Sequence, residues 1–233
     1  MKTGLIIFAR FSSSRLPGKA LLSIDGRPLL GRVFDRTRRV NGRYDIVLAT
    51  SDREDDDPLA QFAEDEGIQT FRGALDDVAG RALACCKAFG FERFVRICGD
   101  RPFLDPTLIN VLLDHHEKKS LDLATNAGMK TFPAGVATEI VLVDALERAV
   151  RQGLSQEDRE HVTKYFYDNS SAFRIFNLES SDPTYRDVNL SVDTLGDLYR
   201  ASWIASQLDE PESASLDQVV VLARAWLAQN KSK

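Results

Sequence analysis

Residues 9–19 read ARFSSSRLPGK, which gathers Arg10, Arg15 and Lys19 with Ser12, Ser13, Ser14 and Gly18 directly after an apolar run. Cations, hydroxyls and a permissive glycine in one loop can cradle phosphate oxygens. Pro17 stiffens the turn, and Gly18 can take positive φ or admit a close ligand oxygen. Neither GxxxxGK[ST] nor GxGxxG occurs, so the loop is not a P-loop or a dinucleotide fingerprint. The plainer role is a solvated basic loop.

Two carboxylates could complement such a loop. Asp100, in Gly99-Asp100-Arg101-Pro102, follows an apolar strand and is aimed at the basic loop. Mg²⁺ commonly takes one or two carboxylates plus phosphate oxygens, so Asp100 is a candidate metal ligand; the competing role is a turn cap before Pro102. Asp193, in Ser191-Val192-Asp193-Thr194, is the second candidate, and it competes with a role as N-cap of the helix that follows.

These residues need a scaffold, and the first half of the chain supplies a regular one. Apolar runs at 5–9, 45–50, 68–71 and 93–98 predict strands. Between them, helices are expected over 28–40 with Pro28 in the first turn, from Asp57-Pro58 as N-cap and N1 to Gly67, and over 76–89. Asp105-Pro106 opens another helix. The βαβα rhythm implies a three-layer Rossmann-like α/β fold with a mainly parallel sheet. Right-handed crossovers bring the strand-to-helix loops to one edge, where such folds bind ligands. Residues 10–19, 50–52, Arg72-Gly73 and 99–101 all fall there.

The rhythm changes after residue 121. Strands are expected at 122–125, 137–143, 173–178 and 188–192, and helices at 144–151, from 155 through Tyr165, at 195–207 and at 215–228, before a polar tail 229–233. No linker or repeat interrupts the chain. Residues 1–233 are therefore expected to form one domain, with 126–189 as an embedded insertion that covers the site. Tyr165, Phe166, Tyr167 and Phe173 suit core or interface better than a sugar platform. His115 and His116, with Lys118 and Lys119, read as a solvated helix end, and the acidic run 52–57 as a solvated loop end with Asp57 as cap.

A net charge of −5 argues against a protein built to coat nucleic acid, so positive charge for an anionic ligand must be gathered locally. Cys85, Cys86 and Cys98 are odd in number and show no CxxC or ligand spacing, which suits reduced thiols and the cytoplasm. The apolar run 5–9 is too short for a signal segment, and no window reaches membrane-span length.

ARFSSSRLPGK, ATSDREDDDPLA, FRGALDDV, VRICGDRPFLDP, REHVTKY and NLSVDTLGDL occur in that order between residues 9 and 198. Together they resemble the spore-coat polysaccharide cytidylyltransferase family, which belongs with the sialic-acid and 3-deoxy-manno-octulosonate cytidylyltransferases. The resemblance implies transfer of CMP from CTP to an acidic sugar, with release of pyrophosphate, by a homodimer built through the second half. It implies Mg²⁺ held by Asp100 and Asp193. It places Ala9, Arg10, Ser13, Arg15, Gly18, Lys19, Arg72 and Asp100 at the nucleotide, with Arg10, Lys19 and Asp100 serving catalysis, and Asp77 as a weaker candidate. Glu139 and His161 would meet the sugar, His161 as a contact rather than a base.

The chain departs from the family pattern at Ala137, where Gly-x-Asp-x-Glu carries Asp, and at Leu195-Gly196, where VDTPEDL carries Pro-Glu. Those departures leave open a non-catalytic nucleotide- or sugar-binding subunit. A nucleotidyltransferase using another NTP, or acting on a sugar phosphate or alcohol, also stays open.

Overall fold

Residues 1–230 are described by a computed structural model; the last three residues of the expected polar tail lie outside the described residues. Strand β1 (Thr3–Phe8) leads through the basic loop to a short hairpin, β2 (Ser23–Ile24) and β3 (Arg27–Pro28), and then α1 (Leu29–Thr37). Next come β4 (Asp45–Ser51), α2 (Asp57–Asp65), β5 (Gln69–Gly73), α3 (Val78–Phe89), β6 (Arg93–Cys98) and α4 (Pro106–Lys119). The second half adds β7 (Leu123–Thr125), β8 (Glu139–Leu142), α5 (Val143–Arg151), α6 (Gln156–Glu160), α7 (Lys164–Asp168), β9 (Ile175–Asn177), α8 (Leu195–Ser206) and α9 (Leu216–Asn230).

Seven strands form one sheet in the order β5-β4-β1-β6-β8-β7-β9. It is a mainly parallel, Rossmann-like α/β sheet in which β8 alone runs against both of its neighbours. Alternation along β1 sends Leu5 and Ile7 into one apolar layer with Val33, Phe34 and Ile109, and Ile6 into the opposite layer with Ala82, Cys86 and Phe94. A third cluster joins α8 and α9 to Ile24, Leu29 and the segment 188–192.

Chain order reverses between β1 and β6: the path runs outward to β4 and β5, then returns to the other side of β1. Ligands of such sheets bind outside the strand ends at this switch point. The two strand ends meet closely there. Gly99 N donates to Phe8 O at 2.8 Å, and a Cβ on Gly99 would lie 2.8 Å from the Ala9 Cβ, so small residues are required on both sides.

Several expected elements differ. Pro28 pairs with Ser23 in the hairpin, because Asp25 and Gly26 both take positive φ and turn the chain there; α1 starts one residue later and ends at Thr37. Residues 188–192 are extended without being a ladder strand: their backbone bonds go to Ala134 and to Asp100 O, with one isolated bridge, Ala134–Asn189. The helix expected from 155 through Tyr165 breaks at 161–163, where Val162 sits at φ 37°, giving α6 and α7. Asp57 is the first residue of α2, not its cap.

His116 is buried rather than solvated, and neither ring nitrogen has a partner among the described residues. Burial, with Arg93 nearby, pushes its pKa down to about 4. Asp56 is buried too: it accepts from Phe11 N at 2.6 Å, Thr50 Oγ1 at 2.8 Å and Ser51 N at 2.8 Å. Burial opposes its charge, but these donors hold the carboxyl below its ordinary range. Asp56 thereby ties the start of the basic loop to the end of β4. Cys85, Cys86 and Cys98 are all free thiols.

Candidate active site

A cleft of about 350 Å³ opens at the β1–β6 switch point. Ala9, Arg10, Ser13, Arg15 and Lys19 line it from the first loop. Asp100 lines it from the end of β6, Asp193 from the segment before α8, and His161 from the α6–α7 break. Eight residues singled out in the sequence thus meet around one cavity. Gly18 shapes the loop rather than the wall: at φ 70° it begins a short 3₁₀ turn, and an added Cβ would lie 3.0 Å from the Phe11 ring.

At the floor, Lys19 Nζ donates to Asp100 Oδ2 at 3.2 Å, Asp193 Oδ1 at 2.9 Å and Val192 O at 2.7 Å. Arg15 adds a second cation to Asp193 at 2.8 Å, while Arg10 pairs with Glu160 at 3.4 Å. Asp193 is spared from capping α8. Thr194 Oγ1 accepts from Asp197 N, and the Asp197 carboxylate accepts from the Asp193 and Thr194 backbone amides. Arg200 braces that cap at 2.7 Å and donates to Ser191 O. The capping box therefore fixes this loop in a sequence with Leu195-Gly196.

Two carboxylates that converge on one ammonium also form a hard, all-oxygen donor set suited to a divalent cation. No group of three or more His, Cys, Asp or Glu side chains arranged to hold a metal ion occurs among the described residues, so such a cation would draw its other ligands from phosphate oxygens and water.

Two expected contacts lie elsewhere. Arg72 does not face the cleft. Its Nε donates to Ser51 O at 2.9 Å, and its other nitrogens bond Arg53 O and the Asp57 carboxylate, which pins it to the β4–α2 loop two strands from β6. Glu139 does not reach the cavity either. It is buried behind Arg96, accepting from Arg96, Thr163 Oγ1 and Tyr167 OH. Asp77, the weaker candidate, caps α3 through Gly80 N and pairs with Arg159 at 2.9 Å.

Arg81, Arg96 and Glu160 line the cleft although nothing in the sequence reading assigned them a role. For Arg96 there was a signal: a cation inside the otherwise apolar strand RFVRIC. Arg81 was similarly visible on the buried face of α3.

The cytidylyltransferase family model matches residues 5–215. The chain belongs to this family. As a cytidylyltransferase it is a nucleotidyl-transferring enzyme. It is 30% identical over 226 residues to the spore coat polysaccharide biosynthesis protein SpsF of Bacillus subtilis, covering 93% of this chain and 92% of that protein. It is 32% identical over 126 residues to the 3-deoxy-manno-octulosonate cytidylyltransferase of Aeromonas salmonicida, covering 52% of this chain and 48% of that one. A cytidylyltransferase structure from Leptospira borgpetersenii superposes with a TM-score of 0.89 at 26% identity, over 100% of this chain and 96% of the other. No helix among the described residues is long and apolar enough to cross a membrane.

Proposed function

We propose that this cytidylyltransferase activates an acidic sugar, of the 3-deoxy-2-ulosonic or sialic-acid type, with CTP to give the CMP-sugar and pyrophosphate for surface polysaccharide synthesis. The observation that carries the proposal is the convergence of Asp100 and Asp193 on Lys19 Nζ beneath the basic loop. The named functions of the spore-coat and 3-deoxy-manno-octulosonate relatives support the choice of reaction.

The anomeric hydroxyl attacks the α-phosphorus, its oxygen forming the new P–O bond as the bond to the pyrophosphate oxygen breaks and the hydroxyl proton passes to water. Positioning and charge neutralisation carry most of the acceleration in such transfers. Arg10, Ser13, Arg15 and Lys19 hold the β- and γ-phosphates and stabilise the charge that builds on the leaving group. Gly18 lets the loop close on them, and Ala9 leaves room for the pyrimidine edge beside the β1 end. Asp100 and Asp193 would hold Mg²⁺, which when bound supplies Lewis-acid polarisation of the α-phosphate. Lys19 balances the two carboxylates until phosphates arrive and then pairs with them. His161 meets the sugar from the second half.

We also place the protein in the cytoplasm, a reading its free thiols support, as a homodimer joined through the second half. Incubation with CTP, UTP, GTP or ATP, Mg²⁺ and a panel of acid sugars tests the reaction. Pyrophosphate should appear with CTP and one acid sugar only. Release that needs no sugar, or that follows UTP or GTP as readily, would overturn the proposal.

A further inference from the structure

Arg96 stands in β6 between Val95 and Ile97, both buried, and lines the cleft on the side of β8 and His161. Its Nη1 donates to Glu139, its register partner across the β6–β8 ladder. Glu139 is fixed in turn by Thr163 Oγ1 and Tyr167 OH, each at 2.7 Å. Burial alone would favour a protonated Glu139, but Arg96 and the two hydroxyls hold its carboxyl below the usual range, so the pair is ionised.

Three features separate this pair from a packing device. Apolar residues of similar volume would serve a core at least as well as a buried ion pair. Arg96 Nε is buried with no partner among the described residues, and an unmet buried donor is costly, so the arrangement is incomplete as it stands. The engagement of Nη1 leaves Nη2 without a hydrogen bond among the described residues and not buried, a charged donor free for an anion in the cleft. The triphosphate already has cations of its own on the first loop, and Arg96 is tied through Glu139 to Thr163, next to the segment that brings in His161.

We infer that Arg96 reads the carboxylate of the acid substrate, with Glu139, Thr163 and Tyr167 as positioning residues that aim its guanidinium. The inference rests on the acid-sugar reading above. It makes Arg96 the residue that selects acid over neutral sugars.

Arg96→Lys keeps a cation beside Glu139 but loses the second guanidinium donor, Nη2. The double variant Arg96→Gln/Glu139→Gln removes both charges and leaves no uncompensated carboxylate. For Arg96→Lys, the acid-sugar KM should rise about 30-fold with calorimetric CTP affinity within about twofold of wild type. The double variant should lose the preference for the acid over its carboxamide analogue. Glu139→Gln should raise the sugar KM and leave kcat nearly unchanged, the mark of a positioning role. Weaker CTP binding in Arg96→Lys with an unaltered sugar KM would place Arg96 on the nucleotide and overturn the inference while leaving the transferase reading intact. If the wild type binds an acid sugar without releasing pyrophosphate from CTP, the transferase reading fails alone, and the calorimetric affinity of Arg96→Lys for that acid still decides the inference: an unchanged affinity overturns it.

Discussion

At one end of the cleft Lys19 bridges Asp100 and Asp193; at the other Arg96 meets Glu139. The chemistry is the same, cations against carboxylates, but the settings differ. The Asp100 and Asp193 side chains are 29% and 22% exposed, on loops, with no donor besides cations among the described residues. The Glu139 side chain is 5% exposed, on a central strand, and locked by two hydroxyls as well as by Arg96. A partly solvated pair exchanges partners at little cost, while a desolvated, fully hydrogen-bonded pair is expensive to disturb. The open end can therefore rearrange around phosphates and a cation. The buried end is suited to hold one orientation.

Stability measurements probe the buried end first. Glu139→Ala strands Arg96 without its counter-charge and should cost about 3–5 kcal/mol, a fall in Tm of roughly 10 °C. Asp193→Ala, examined in the same way by thermal unfolding, should move Tm by no more than about 2 °C. Equal losses would erase the distinction between the two ends.

His116 sharpens the same contrast by pH. The unfolded chain takes up its proton near the ordinary value, and the folded protein only near pH 4. The folded state thus binds fewer protons in this window, so stability is full above about pH 6.5 and falls as pH drops toward 4, by up to about 3 kcal/mol. In urea titrations across that range, His116→Leu should flatten the slope.

The open end should show the reverse pattern. Lys19→Ala should lower kcat/KM about 100-fold, near 2.7 kcal/mol, with little change in Tm. Thr194→Ala removes the cap that frees Asp193 and should cost about 1 kcal/mol in chemical unfolding, with a smaller loss of activity.

The open end was also the more legible one in the sequence. Its residues sit directly after apolar runs, and the convergence of such loops at one sheet edge follows from crossover handedness alone. Asp105 caps α4, as Asp-Pro punctuation implied. The buried end depends on strand register: Arg96 faces Glu139 only because β8 enters the sheet antiparallel to β6, and no local pattern encodes that pairing. Asp56 and Asp57 are indistinguishable inside an acidic run until Phe11 N and Thr50 select one of them for burial. Arg72 lies at the expected edge, but its guanidinium turns to the carbonyls of Ser51 and Arg53. Residues 188–192 carry the composition of a strand, yet their hydrogen bonds go to loops.

The most direct measurement is single-turnover CMP transfer by Asp100→Asn, followed as pyrophosphate release from CTP with the accepted acid sugar, alongside its thermal unfolding. The open-end account predicts a rate about 1,000-fold below wild type with Tm within about 2 °C. A folded Asp100→Asn that transfers CMP at a rate near wild type would contradict it.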